Sequence, residues 1–141
     1  MTLMKKAIRA AIFAVAVCLM AVSCTKTSTN TLALLGNWEL VRWDITTDGH
    51  TETGYPTYTT ILEFHSGDEY AITETSMTGT TTMTGRWYVD EDTVILTQAN
   101  GSRRVYFIEE TGFSKLVLSE TITQDGVKSV FRYTYKAVSL K

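Results

Sequence analysis

The sequence is poor in the residues that most often indicate catalysis, cross-linking or metal binding. Its 141 residues include two cysteines, two histidines and one proline. It contains no HExxH pair, no glycine-rich phosphate loop and no Ser-His-Asp spacing. We therefore expect a protein that is not an enzyme and that has no cofactor and no metal centre.

After its first 23 residues the chain also lacks apolar residues at helical spacing. Without a period of 3.6, no amphipathic helix is predicted. Short runs rich in threonine, β-branched and aromatic residues recur instead, at intervals of about ten residues, with turn residues between them. This pattern predicts an all-β fold.

The first 23 residues have the pattern of a secretion signal. Three basic residues are followed by an apolar segment, residues 10–20, that is shorter than the roughly 20 residues of a spanning helix. Small residues then precede Cys24, and this run resembles the lipobox of bacterial lipoproteins. The pattern predicts a signal peptide over residues 1–23, with Cys24 as the lipidated first residue of the mature chain. The alternative is an ordinary secretory signal in which Cys24 is incidental.

Lipidation of Cys24 would determine both the cellular location of the protein and the thiol chemistry available to it. Cys18 is removed with the signal, so no disulfide, thiol nucleophile or cysteine metal site is expected. Acyl chains such as palmitate would anchor the chain stably, because each buried methylene contributes about 0.8 kcal/mol. No acidic cluster follows Cys24, which favours the periplasmic face of the outer membrane. Residues 24–33 are predicted to be a flexible polar tether, and residues 34–141 the folded domain.

The mature chain is acidic. Removal of the signal takes away three basic residues and no acidic ones, which leaves 10 basic and 15 acidic residues and a formal charge of −5. This excess argues against nucleic acid or an anionic lipid surface as a partner held by bulk electrostatics. We expect a monomer that reaches the membrane through its lipid anchor.

Turn signals divide the folded domain into eight predicted strands. They are A (37–44), B (58–65), C (69–76), D (80–89), E (93–97), F (103–109), G (114–121) and H (128–138). Turn pairs such as Asn100-Gly101 tolerate the positive φ of tight hairpins. Consecutive strands with short links predict an antiparallel up-and-down barrel, because closure removes exposed edges.

The links between these strands are unequal. The B–C, D–E and F–G links lie at one end of the barrel and are all short, whereas the A–B link, residues 45–57, is the longest and lies at the other end. This is typical of a cup with a closed end and a lid at its open end. The acidic D–E turn at residues 90–92 is compatible with a calcium site or a solvated hairpin tip. We favour the hairpin tip, because a calcium loop needs more oxygen ligands.

Two tryptophan motifs carry a resemblance to a known family. Gly-Asn-Trp at residues 36–38 opens strand A, and Gly-Arg-Trp at residues 85–87 precedes the apolar run at residues 94–96. The chain resembles the lipocalins over roughly residues 34–136, and within them the small lipocalin-like lipoproteins of Bacteroides-type bacteria. The resemblance implies an eight-stranded barrel with a ligand cup.

The same resemblance implies roles for residues at the closed end. Trp38 and Trp87 would plug that end of the barrel. Arg132, or alternatively Lys136, would stack on Trp38 in a cation–π contact. Plain core packing is the alternative role for both tryptophans.

Alternation along the strands indicates which side chains face the interior. The ligand-lining candidates are Leu40, Arg42, Phe64, Tyr70, Ile72, Met83, Leu118 and Tyr133. Arg42 would meet an acidic headgroup at the mouth of the cup, or a bulge after Leu40 would turn Arg42 and Asp44 to water; we favour the bulge. Strand F is ambiguous, since both of its faces are apolar.

These observations lead to two functional hypotheses. The first is a membrane-tethered barrel that binds a small apolar or amphipathic ligand. The second is a filled barrel that acts as a non-enzymatic interaction module in the cell envelope. A cavity beside the A–B link would favour the first hypothesis, and a packed interior the second.

Overall fold

Nine strands form in residues 31–139, the part of the chain that the computed structural model describes. They are β1 (Gly36–Thr47), β2 (His50–Gly54), β3 (Thr59–His65), β4 (Glu69–Ser76), β5 (Gly79–Asp90), β6 (Thr93–Gln98), β7 (Arg103–Thr111), β8 (Lys115–Gln124) and β9 (Val127–Val138). The predicted strands A to H correspond to β1 and β3–β9. The predicted signal peptide, Cys24 and most of the predicted tether lie outside the described residues.

Eight of these strands close into an antiparallel barrel. β1 and β3–β9 pair in chain order, and β9 returns to pair with β1, from Asn37 opposite Val138 to Thr47 opposite Ser129. Closure pairs the two strands that would otherwise expose unpaired backbone groups. The predicted all-β, eight-stranded up-and-down barrel is therefore confirmed. Within residues 31–139, no helix is long and apolar enough to span a bilayer.

The long first link is largely a hairpin instead of an irregular loop. Asp48 and Gly49 adopt φ values of 50° and 76°, the type I′ geometry that two-residue hairpins favour. β2 folds back along the second half of β1, with Trp43 opposite Gly54. Residues 55–58 then connect β2 to β3. The first link, which the sequence predicted as a lid, is thus partly built from a hydrogen-bonded ladder.

Core side chains fill the closed half of the barrel. A helical turn at residues 31–34, which includes part of the predicted tether, packs the fully buried Leu34 against this core. Trp38 Nε1 donates a hydrogen bond to the Leu34 carbonyl at 2.9 Å. Trp87 joins the same core, donates from Nε1 to the His65 carbonyl at 3.1 Å, and places its ring centroid 4.7 Å from that of Phe64. The other members are Leu62, Tyr70, Val94, Leu96, Tyr106, Ile108, Leu116 and Leu118.

A β-bulge determines which side chains of β1 face inward. The register between β1 and β9 shifts between Leu40 and Arg42, which leaves Val41 as the extra residue. The shift turns Arg42 and Asp44 to the outer face and Trp43 to the interior, where it lies opposite an inward-facing residue of β9. This is the bulge that the sequence favoured.

On the outer face, Asp44 fastens β2 to β1. Its carboxylate accepts hydrogen bonds from the Thr53 hydroxyl at 2.5 Å and from Arg42 Nη2 at 3.1 Å. The Thr53 hydrogen bond and the Arg42 guanidinium hold the pKa of Asp44 below its ordinary value, although burial opposes them. An ionised Asp44 therefore ties the hairpin to the barrel at neutral pH.

Candidate functional site at the open end of the barrel

The structure resolves which face of β7 lies inside the barrel. Tyr106 and Ile108 are buried in the core, while Val105 and Phe107 point outward and are about half exposed. The same alternation brings Arg104 to the inner face. A basic side chain therefore lies on the barrel interior, on a strand whose inner face the sequence left ambiguous.

A pocket of about 290 Å³ opens at the mouth of the barrel, on the inner faces of β1, β3, β4 and β5. Its lining consists of Leu40, Trp43, Pro56, Thr57, Tyr58, Thr60, Glu74, Ser76 and Thr81. Small-molecule sites usually have about 300–1,000 Å³, so this pocket lies at the lower limit. Because the core fills the closed half of the barrel, the pocket is a shallow cup beneath the lid.

The lid and the cup meet at Trp43 and Gly54. The Trp43 ring packs against the backbone of Gly54, so that a Cβ at position 54 would come within 1.8 Å of Trp43 Cζ2. Only glycine permits this approach. The contact holds the indole at one wall of the pocket, and the lid residues Pro56 and Tyr58 lie along the same opening.

A network of three polar side chains lies on the inner faces of β7, β8 and β9. The Glu120 side chain is 9% exposed, and its Oε1 accepts hydrogen bonds from Arg104 Nη2 and from the Tyr133 hydroxyl, the second at 2.7 Å. The Arg104 guanidinium also lies 5.2 Å from the centroid of the Tyr106 ring, within cation–π range. Glu120 thus pairs with Arg104 on the inner face, although the Arg104 side chain is 52% exposed. Tyr133 lies opposite Trp43 in the β1–β9 ladder, which joins the network to the mouth pocket.

Three tyrosines of the interior are held in the neutral form. Burial raises the pKa of Tyr106 to about 12. Burial, together with the hydrogen bond to Glu120, raises the pKa of Tyr133, and burial raises that of Tyr135. The cause is the free-energy cost of a phenolate in apolar surroundings.

These raised pKa values predict that alkali unfolds the protein. An ordinary tyrosine has a pKa of 10.0, so above that pH the unfolded chain releases protons that the folded barrel retains. The stabilisation is fully present below pH 10 and is lost as the pH rises towards 12. Tyr106 alone contributes about 2–3 kcal/mol to this loss. We expect circular dichroism and phenolate absorbance to change together in this range.

A Tyr106→Phe variant provides the control for alkaline unfolding. It keeps the ring and removes one titrating hydroxyl, so its transition should shift to higher pH. If all tyrosines titrated near pH 10 while the barrel stayed folded, the burial argument would be wrong.

The predicted lining residues do not all lie in one place. Leu40 borders the mouth pocket. Phe64, Tyr70 and Leu118 belong to the packed core, while Ile72 and Tyr133 are partly buried against it. Met83 lies opposite Ile72, is 44% exposed, and accepts a hydrogen bond at Sδ from Gln98 Nε2 at 2.8 Å. The closed half therefore offers packing, and the open half offers accessible side chains.

Two predicted basic residues face outward. Arg42 lies outside the barrel and pairs with Asp44, because the bulge shifts the alternation of β1. Arg132 does not stack on Trp38: it also lies on the outer face, where it is hydrogen-bonded to Glu109. The alternative residue, Lys136, shares this outer face, since Trp38 lies opposite Ala137.

Sequence reasoning missed Trp43, Arg104 and Glu120. The inward alternation of Leu116 and Leu118 extends to Glu120, which is a signal that the sequence does contain. Arg104 follows from Tyr106 once the inner face of β7 is known. Trp43 depends on the bulge.

Other surface features lie away from the mouth. A groove of about 590 Å³ at the closed end is lined by Leu32, Phe113 and Val138 among others, and a groove of about 690 Å³ lies mainly along the outer faces of β4, β5 and β6. In residues 31–139, no three His, Cys, Asp or Glu side chains are grouped so that they could hold a metal ion. The mouth pocket is the candidate site that joins the barrel interior to the lid.

Comparison with known proteins gives structural matches only. No protein-family profile matches the chain, and no curated protein matches its sequence. Lobster apocrustacyanin A1 is similar in structure, with a TM-score of 0.53 and 16% identity over 82% of this chain and 67% of that chain. Apocrustacyanin C1 gives a TM-score of 0.54 with the same identity and coverage. The siderocalin Ex-FABP aligns with a TM-score of 0.46 and 16% identity over 77% of each chain.

Identity this low establishes the fold and nothing finer. The apocrustacyanins are lipocalins, and their structures align with 82% of this chain. The fold is therefore a lipocalin-like barrel.

Proposed function

We propose that this protein is a membrane-tethered, lipocalin-like lipoprotein that binds a small apolar or amphipathic molecule at the open end of its barrel. The observation that carries the proposal is the mouth pocket, where Leu40, Trp43 and Tyr58 meet beneath the lid. Concave, largely apolar sites with a few polar groups are the usual form of small-molecule sites.

The size of the pocket limits what it holds. A volume of about 290 Å³ accommodates a compact molecule or one end of an amphiphile. The neighbouring Arg104–Glu120–Tyr133 network supplies hydrogen-bonding groups on the inner wall. A ligand with an apolar body and one polar end matches this distribution.

The proposal predicts that Trp43 reports ligand binding. Trp38 and Trp87 are buried at the closed end, whereas Trp43 borders the pocket. We expect 4-phenylbutanol, added to the lipidated protein in nanodiscs, to change tryptophan emission saturably. In a Trp43→Phe variant most of that change should disappear, while binding measured by calorimetry persists.

Native mass spectrometry provides the second arm of this test. Protein extracted gently from its own membrane should carry a small molecule that is released on unfolding. Absence of any co-purified molecule, together with no saturable response to the alcohol, would refute the ligand-binding proposal.

Tethering at Cys24 is the other part of the proposal. Seven Cα-to-Cα intervals separate Cys24 from residue 31, and they span at most about 25 Å when extended. Residue 31 begins the helical turn that packs at the closed end, beside Trp38. The open end would then face away from the outer membrane, on its periplasmic side, and remain accessible to ligand.

An interaction module is the second candidate function, and one observation favours it. Tyr88, Val105 and Phe107 form an apolar patch on the outer faces of β5 and β7, each about half exposed, around the buried Ile95 of β6. Exposed apolar patches of this kind mark protein interaction sites. Failure of every ligand test above would favour this alternative.

A further inference from the structure

The mouth pocket has an acidic charge of its own. Of the residues that line it, Glu74 is the charged one. Its cross-strand neighbours on the inner face, Thr60 and Thr81, are neutral and line the same pocket. In residues 31–139, the structure shows no ion pair for the Glu74 carboxylate.

Two basic residues, one on the inner face and one beside Trp43, are already paired with carboxylates. Arg104 shares the barrel interior, but Glu120 neutralises it. Arg42 comes from the same strand as Trp43, but the bulge turns it outward to Asp44. The pocket therefore has a negative charge with no compensating cation in its lining, which disfavours a carboxylate or phosphate ligand there.

Two aromatic rings accompany this carboxylate. Trp43 and Tyr58 line the pocket together with Glu74, and Trp43 is fixed by its contact with Gly54. Faces of tryptophan and tyrosine attract cations through the ring quadrupole, and aromatic sites with a carboxylate suit ammonium groups. Leu40 and Pro56 provide apolar surface beside them for the rest of the ligand.

We propose that the mouth pocket selects a ligand with a cationic ammonium group, which Glu74, Trp43 and Tyr58 hold at the opening of the barrel. This inference rests on the proposed ligand-binding function and names the ligand class: an amine-bearing amphiphile in preference to a fatty acid or a neutral alcohol. The apolar body of the ligand lies against Leu40 and Pro56.

Three probes of matched shape test the selectivity. Binding of 4-phenylbutylamine, 4-phenylbutanol and 4-phenylbutanoate to the lipidated protein in nanodiscs is measured by calorimetry at neutral pH, with empty nanodiscs subtracted. We expect the ammonium form of the amine to bind about tenfold more tightly than the alcohol, and the carboxylate more weakly than either. In a Glu74→Gln variant the advantage of the amine should fall to about twofold, with the affinity for the alcohol unchanged.

Two further variants serve as controls. Glu69→Gln makes the same change on β4, at its closed end and on its outer face, and should leave all three affinities unchanged. Tyr58→Leu keeps the apolar surface but removes the aromatic ring. It should lower the affinity for the amine about threefold and leave the affinity for the alcohol unchanged.

The possible outcomes separate this inference from the proposed function. If the alcohol binds and the amine binds no better, or the carboxylate binds best, the ammonium site is wrong and ligand binding stands. An amine preference that survives in Glu74→Gln also overturns the inference. If none of the three probes binds and no small molecule co-purifies with the protein, the proposed function fails together with it.

Discussion

Replacing Trp38 by alanine should lower the free energy of unfolding by about 3–5 kcal/mol. The side chain is buried at the closed end among core residues contributed by most of the barrel strands. Its removal would leave a cavity where the barrel cannot easily collapse, because the neighbouring strands are fixed by their ladders. Small domains have a total stability of about 5–15 kcal/mol, so the loss is a large fraction of it.

The indole nitrogen adds a second cost to this substitution. Trp38 Nε1 donates to the Leu34 carbonyl, and this bond fastens the helical turn at residues 31–34 to the barrel. Trp38→Phe keeps most of the apolar volume and loses the donor, so we expect it to cost about 1–2 kcal/mol. Denaturant unfolding of both variants separates packing from hydrogen bonding.

Trp43→Ala is the matched control for Trp38→Ala, the variant that removes the predicted closed-end plug. Trp43 is partly exposed at the mouth, and its ring contacts the lid at Gly54. We expect its removal to cost no more than about half as much as the loss of Trp38. Equal losses in the two alanine variants, or an unchanged unfolding midpoint for Trp38→Ala, would refute the assignment of Trp38 as the closed-end plug.

Replacing Cys24 by serine should abolish lipidation and release the protein from the membrane. Serine lacks the thiolate that accepts the lipid, and each acyl chain contributes its membrane affinity through buried methylenes at about 0.8 kcal/mol apiece. In cells grown with an alkyne analogue of palmitate, the wild-type protein should be labelled and recovered in the membrane fraction. The variant should be unlabelled.

Cys18 provides the control for this experiment. It lies in the predicted apolar segment of the signal, so Cys18→Ser should leave both labelling and membrane recovery unchanged. Labelling that persists in Cys24→Ser would show that the lipid is attached elsewhere and would remove the basis for the tether.

Local patterning was sufficient to predict the barrel, because most of its strands alternate clearly and most of its turns carry glycine. Apolar and polar residues alternate, for example, at positions 62–65 of β3. The Asp125-Gly126 turn before β9 is an example of a turn with glycine. Strand ends differ from the prediction by only a few residues, except in the first link. There, Asp48-Gly49 carried the hairpin signal, but the short, polar sequence of β2 did not suggest a strand.

The candidate site was harder to predict for two physical reasons. The bulge at Val41 depends on tertiary pairing between β1 and β9, which no local pattern specifies uniquely. β7 is apolar on both faces, since Val105 and Phe107 form part of an exposed outer patch. The sequence alone therefore allowed Arg104 to face either the inside or the outside of the barrel.

Any residue-by-residue alignment of β1 with a strand that lacks the bulge needs a one-residue gap at Val41. Without that gap, the aromatic side chain at the mouth is aligned with positions that face solvent, and Arg42 is aligned with positions that face the interior. The side chain presented at the opening of the barrel thus depends on an insertion in the backbone as much as on residue identity. Straightening β1 with Val41 retained in the ladder would exchange an indole for a guanidinium at the opening, whereas deletion of Val41 would keep Arg42 opposite Thr134 and Trp43 opposite Tyr133.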